Sequence, residues 1–167
     1  MSEPQSLHLS PQLIAQFNNN PQGLQKAFAD GQTPQQVIGF SQQAMAELYR
    51  GAYLLFQQHE YAKATEAFLF LATLNVHNHD YWLGLGMSTQ MCHHYEEAID
   101  AYEMAALCDL ASPIPYFYLA KCLFAIHDRA SALQAIELAI EMADDNDEYA
   151  DLKQQAKAAQ RTLIDGI

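Results

Sequence analysis

Apolar residues recur every three to four positions along most of this chain, the interval of one face of an α-helix. No run alternates with the period of a β-strand. A longer period is laid over the helical one. Ala64, Ala98 and Ala132 stand 34 residues apart, and three further columns share that spacing: Ala52, Gly86 and Ala120; Phe68, Tyr102 and Ile136; Leu71, Ala105 and Ala139. A period of this length on helical patterning predicts one antiparallel helix pair per repeat, with neighbouring pairs stacked over a continuous core. The small residues at 52, 86 and 120 and at 64, 98 and 132 let paired helices approach to roughly 8–10 Å, while Phe68, Trp82 and Tyr102 fill the space around them. The repeats read as residues 45–78, 79–112 and 113–146.

The flanks are helical as well. Residues 1–9 are expected to be disordered. Ser10 as N-cap and Pro11 at the first helical position open a short helix carrying Leu13, Ile14 and Phe17, which Asn18, Asn19, Asn20 and Pro21 break. Residues 1–22 are thus a mobile extension with a short helix, followed by an N-terminal helical segment over 23–44. In that segment one helix carries Leu24, Ala27 and Phe28 and stops at Gly31. Thr33, Pro34, Gln35 and Gln36 have capping-box form and lead into Val37, Ile38 and Phe40. Beyond the repeats, Tyr149, Leu152, Ala156 and Leu163 form one apolar stripe, so residues 147–167 read as a helix capping the open end of the stack.

The middle repeat has Trp82-x-x-Leu85-Gly86 followed by Ala98-x-x-x-Tyr102, which matches the 34-residue tetratricopeptide pattern. Thr89 stands where that pattern has Tyr, and Leu110 where it has Pro. The expected fold is all-α: three tandem tetratricopeptide repeats, an α-solenoid, with N-terminal helices and a C-terminal capping helix.

Composition narrows the function. The 167 residues carry 20 acidic against 8 basic side chains, a formal charge of −12, and half of them are hydrophobic. That length fits one domain with a sizeable core. Eight scattered basic residues provide no groove for phosphates and no hold on an anionic membrane. No apolar run approaches a membrane span, and the N-terminus lacks the basic and apolar regions of a signal peptide, so the protein is expected to stay in the cytosol. Cys92, Cys108 and Cys122 are odd in number and widely spaced within apolar helical patterns, which predicts reduced thiols filling core space.

Candidate chemistry is sparse. His77, His79, His93 and His94 lie near Cys92, but neither Cys nor His pairs occur at zinc-ligand spacing. His59, His93 and His127 instead share one repeat column, the turn between paired helices, where His tolerates positive φ better than most side chains. Gly84-Leu85-Gly86 lacks the third glycine and preceding strand of a dinucleotide loop. The run from Asp144 to Glu148 lacks the central Gly and terminal Glu of a calcium loop, and reads as an acidic helix N-terminus. No Ser or Cys stands in a recognisable nucleophile motif. No catalytic residues, metal ligands or cofactor are expected, and an enzyme is disfavoured.

What remains is surface. The first helix of each repeat lines the concave side of such a stack, and its inward positions follow from the helical turn. They are Tyr49, Tyr53 and Phe56 in the first repeat; Asp80, Leu83, Met87 and Gln90 in the second; Ile114, Phe117, Lys121 and Phe124 in the third. Apolar stripes on helices are usually core. Here Leu48, Ala52 and Leu55 already supply the packing column, so Tyr49, Tyr53 and Phe56 form a separate stripe. The reading is a groove for an extended apolar peptide, lined by Tyr49, Tyr53, Phe56, Leu83, Met87, Phe117, Lys121 and Phe124, aromatic and aliphatic with one basic residue. Tetratricopeptide co-chaperones that clamp acidic C-termini of heat-shock proteins place Lys, Arg and Asn at inward positions. Tyr49, Leu83 and Phe117 argue against that clamp.

Over about residues 23–160 the chain resembles the tetratricopeptide chaperones of type III secretion translocators, the class II or SycD/LcrH-like family. The resemblance is carried by Gly39-Phe40-Ser41, by Glu47-Leu48-Tyr49-x-x-Ala52-Tyr53, by Tyr81-Trp82-Leu83-Gly84-Leu85-Gly86, and by Pro113 followed by Ala120-Lys121-Cys122-Leu123. It implies a cytoplasmic chaperone of a Gram-negative bacterium that binds two hydrophobic translocator proteins before secretion, through a Pro-x-Leu-x-x-Pro-type segment in the concave groove. It also implies a homodimer through the N-terminal helices. The chain departs from the family in its turn residues His59 and His127, in Lys121 and in its N-terminal extension. A tetratricopeptide scaffold or regulatory adaptor joining other proteins is the alternative.

Overall fold

A computed structural model describes residues 21–144 and 146–165. The short helix expected from Ser10 to Phe17, the disorder expected over 1–9 and the break at Asn18–Asn20 lie outside the described residues. Nine α-helices follow in order among the described residues: α1 (Pro21–Ala29), α2 (Pro34–Ile38), α3 (Gln42–Gln57), α4 (Tyr61–Leu74), α5 (His79–Met91), α6 (Tyr95–Cys108), α7 (Ile114–Ala125), α8 (Arg129–Met142) and α9 (Ala150–Asp165), with a 3-10 turn at Asp147–Tyr149 before the last. No strand occurs among them.

Local chemistry sets these boundaries. Thr33 and Gln36 form the capping box of α2, and Gly39 closes that helix in the left-handed conformation at φ 81°. Ser41 caps α3, Asn78 caps α5 and Asp128 caps α8, each accepting a backbone N–H. The three histidine turns adopt positive φ: 62° at His59, 63° at His93 and 68° at His127. Each turn closes the same way, with the next N–H reaching back five residues: Glu60 to Leu55, His94 to Thr89 and Asp128 to Leu123. His59 and His93 are each fixed further by Nδ1 on the hydroxyl of the Tyr two residues on, at 2.6 and 2.9 Å. Among the described residues no three His, Cys, Asp or Glu side chains converge as a metal site requires.

Helices α3 to α8 stack in antiparallel pairs, and α9 packs on α8 while touching α7. Every residue of the four repeat columns is buried. The fit is tightest around α5. A Cβ on Gly86 would lie 2.6 Å from the Tyr102 ring of α6, and one on Gly84 would overlap the Phe68 ring of α4. On α9, Ala156 and Leu163 are buried and Leu152 half-buried, while Arg129 donates to the Ile164 carbonyl at 2.9 Å.

Two sequence expectations need correction. Only Cys122 fills core; its burial pushes the thiol up to about 11. Cys92 and Cys108 sit half-buried at the ends of α5 and α6, where the helical pattern runs out. The acidic run after α8 does not open the last helix directly. Asn146 caps the 3-10 turn holding Asp147 and Glu148, and Asp144 pairs with Lys153 of α9, whose hydrogen bond and charge hold that carboxyl below its usual range.

The glycines differ testably. Gly51 faces open space in the interior of α3, whereas Gly84 and Gly86 receive rings. Gly51→Ala should stabilise the protein by up to about 1 kcal/mol through helix propensity. Gly86→Ala and Gly84→Ala should each destabilise it by about 1–2 kcal/mol net, because overpacking outweighs that gain. Urea unfolding of the three variants checks the ordering.

Candidate peptide-binding groove

The inner helices α3, α5 and α7 present the expected inward stripe, but the stripe is not one continuous groove. Tyr49, Tyr53 and Phe56 of α3 face Leu83, Gly84 and Met87 of α5 across a cleft of about 170 Å³, with Phe68 of α4 and Asp80 completing its lining. Tyr49 is half-buried, its ring edge-on to Phe68 at 6.0 Å and tilted against Tyr81 at 5.8 Å. Burial, and next the nearby Asp80 carboxylate, push its phenol above the ordinary tyrosine value. Phe56 is braced edge-on by Tyr61 at 5.3 Å. Tyr53 is 49 % exposed and unbraced by another ring among the described residues, the most exposed ring lining this cleft.

Phe117, expected in the groove, is instead core. It is 4 % exposed, edge-on to Tyr118 at 5.3 Å, and covered by the Lys121 ammonium 4.1 Å from its ring centroid. The physical reason is crowding: Tyr118 and the folded-back Lys121 lie over the ring. Lys121 and the half-exposed Phe124 face a separate cavity of about 250 Å³ beside α9. Burial against these rings lowers the Lys121 pKa. The structure therefore brings together Tyr49, Tyr53, Phe56, Leu83 and Met87, sets Lys121 and Phe124 apart, and removes Phe117 from the inner surface.

The cleft also uses residues outside the expected lining set, among them Asp80, expected on the inward stripe, and Phe68. Asp80 makes it less neutral than expected. Its place on the inward stripe was the available signal. Phe68 reaches the cleft only because Gly84 has no side chain, and the first glycine of the Leu-Gly-Leu-Gly run was the clue. Glu96, Glu97, Asp100 and Glu103 of α6 are all exposed.

A tetratricopeptide stack with an apolar inner cleft places the chain among the helical-repeat proteins, whose inner faces are extended binding surfaces. No protein-family model matches the chain. It is 30 % identical over 119 residues to the chaperone protein SicA of Salmonella typhimurium, covering 71 % of this chain and 72 % of SicA. Among solved structures it resembles the Yersinia enterocolitica chaperone SycD in complex with a peptide of the translocator YopD (TM-score 0.71, 27 % identity, 74 % of this chain and 94 % of that one). It also resembles PcrH in complex with the chaperone binding region of PopD (TM-score 0.74, 26 % identity, 75 % and 95 %). The chain belongs to the family of tetratricopeptide chaperones of type III secretion translocators, the SycD/LcrH-like class.

Burial separates scaffold from surface within the inward stripe. Phe117→Ala should cost about 3–5 kcal/mol by opening a core cavity. Tyr53→Ala and Phe124→Ala should each cost less than about 1 kcal/mol. Chemical denaturation of the three variants distinguishes these roles.

Proposed function

We propose that this protein keeps a hydrophobic translocator of a type III secretion system soluble in the bacterial cytoplasm before secretion. It does so by holding an extended, Pro-x-Leu-x-x-Pro-type segment of that client in the cleft between α3 and α5. The observation that carries the reading is the cleft itself. Tyr53 is half-exposed beside Phe56, Leu83 and Met87 in a chain whose relatives SycD and PcrH are described in complex with translocator segments. No described helix is long and apolar enough to cross a membrane. The relatives SicA and SycD are chaperones, which supports a binding role for the cleft.

Three apolar anchors at about 1.5–3 kcal/mol each supply roughly 5–9 kcal/mol gross, and ordering the segment costs about 2–5 kcal/mol. What is left corresponds to micromolar affinity or weaker. The cleft therefore gives recognition, and further contacts shield the rest of the client. A homodimer through the N-terminal helices belongs to the same reading: α1 leaves Phe28 nearly half exposed, and one SycD structure is described as an alternative dimer.

Co-expression with the client tests this. With the native protein the translocator should remain in the supernatant and co-purify. With Tyr53→Ala combined with Phe56→Ala it should move to the pellet, while circular dichroism shows the helical stack retained. A folded double variant that holds its client normally contradicts the groove assignment.

A further inference from the structure

Two of the inner cavities are repeat equivalents. In the first, Tyr53 and Phe56 of α3 stand beside Phe68 of α4; in the second, Lys121 and Phe124 of α7 stand beside Ile136 of α8. Each residue of the second set follows its counterpart by two 34-residue periods. Across the second cavity α9 takes the place of the next inner helix, closing it with Ala159, Thr162 and Leu163. The interval between the two is filled by the protein itself. Tyr102, the counterpart of Phe68 and Ile136, is fully buried, stacks on Tyr118 at 5.7 Å, and donates its hydroxyl to Gln90 Oε1 at 2.6 Å. Gln90 is the counterpart of Phe56 and Phe124.

The second cavity differs from the first in the sign of its charge: Asp80 lines the first and Lys121 the second. Its rim carries Lys121, whose ammonium lies 4.1 Å from the Phe117 ring centroid and 5.1 Å from that of Tyr118. Among the described residues Lys121 has no carboxylate partner, in a chain of net charge −12. A cation on the rim of an apolar cavity favours an apolar side chain with a carboxylate beside it.

We infer that the cavity between α7 and α9 is a second client subsite. It takes an apolar side chain with an adjacent Asp or Glu from the same extended segment that is anchored between α3 and α5. The inference rests on the reading of the first cleft given above. Repeat continuity sets the spacing: two intervals of roughly 10 Å between inner helices make roughly 20 Å. An extended chain covers that in about six residues at ~3.3 Å each.

The test uses the full chain and fluorescent peptides read by anisotropy. The short probe carries one Pro-Ser-Leu-Ser-Ser-Pro segment in a Gly/Ser background. The long probes add Leu-Glu or Leu-Lys about six residues from the first leucine, on either side. One Leu-Glu probe should bind the native protein about tenfold more tightly than the short probe. Phe124→Ser should remove that gain without changing affinity for the short probe, and Lys121→Glu should transfer the preference from Leu-Glu to Leu-Lys. Absence of any gain, or a gain that survives both substitutions, overturns the inference. If the short probe does not bind, the first-cleft reading fails and the inference falls with it; a short probe that binds with no gain in the long ones overturns the inference alone. A dimer lost in Phe124→Ser with peptide affinities unchanged would assign the cavity to a second copy and likewise overturn the inference.

Discussion

The stack depends on aromatic rings seated where α5 lacks side chains. Phe68 arrives from α4 against Gly84, and Tyr102 arrives from α6 against Gly86. Each glycine costs its helix about 1 kcal/mol of propensity, and each buried ring returns about 1.5–3 kcal/mol while setting the distance between helices. Ala64, Ala98 and Ala132 on the partner helices, all fully buried, keep the pairs close through the rest of the stack. The same contact makes the site. Phe68 reaches the inner cleft through the space left by Gly84, so helix spacing and groove depth are set by one interaction.

Seen from the inner side, the three intervals between successive inner helices differ through the residue at one repeat position. Phe68 leaves a modest cleft, Tyr102 fills its interval and is locked by Gln90 and Tyr118, and Ile136 leaves a larger space closed by α9. Acidic residues are concentrated on outward faces such as that of α6, and the inner face keeps Asp80 in the first cleft and Lys121 at the second. An acidic exterior around apolar clefts separates the charge that opposes self-association from the apolar surface open to a partner.

The architecture was legible because it is written twice in the chain, as helical amphipathicity and as a 34-residue period, and the periodic small residues have no other ready explanation. The histidine turns were legible for the same reason: one column shared three times implies one backbone role, here positive φ. Single side chains were less so. Phe117 and Phe124 occupy the same helix stripe, and only the local covering of Phe117 by Tyr118 and Lys121 separates core from surface. The period places Lys121, Phe124 and Ile136 of the second cavity but not its far wall, because α9 begins after a 3-10 turn that breaks the repeat register. Cys92 and Cys108 looked like core because patterning does not mark the last residues of a helix.

The central claim is that the client lies on the inner face, over the cleft beside Tyr53. Photocrosslinking in cells that co-express the translocator tests it most directly, with p-benzoylphenylalanine placed at Tyr53 or at the exposed outer residue Glu96. The account predicts a chaperone–client adduct from position 53 and none from position 96. An adduct from position 96 alone, or equal adducts from both, would contradict it.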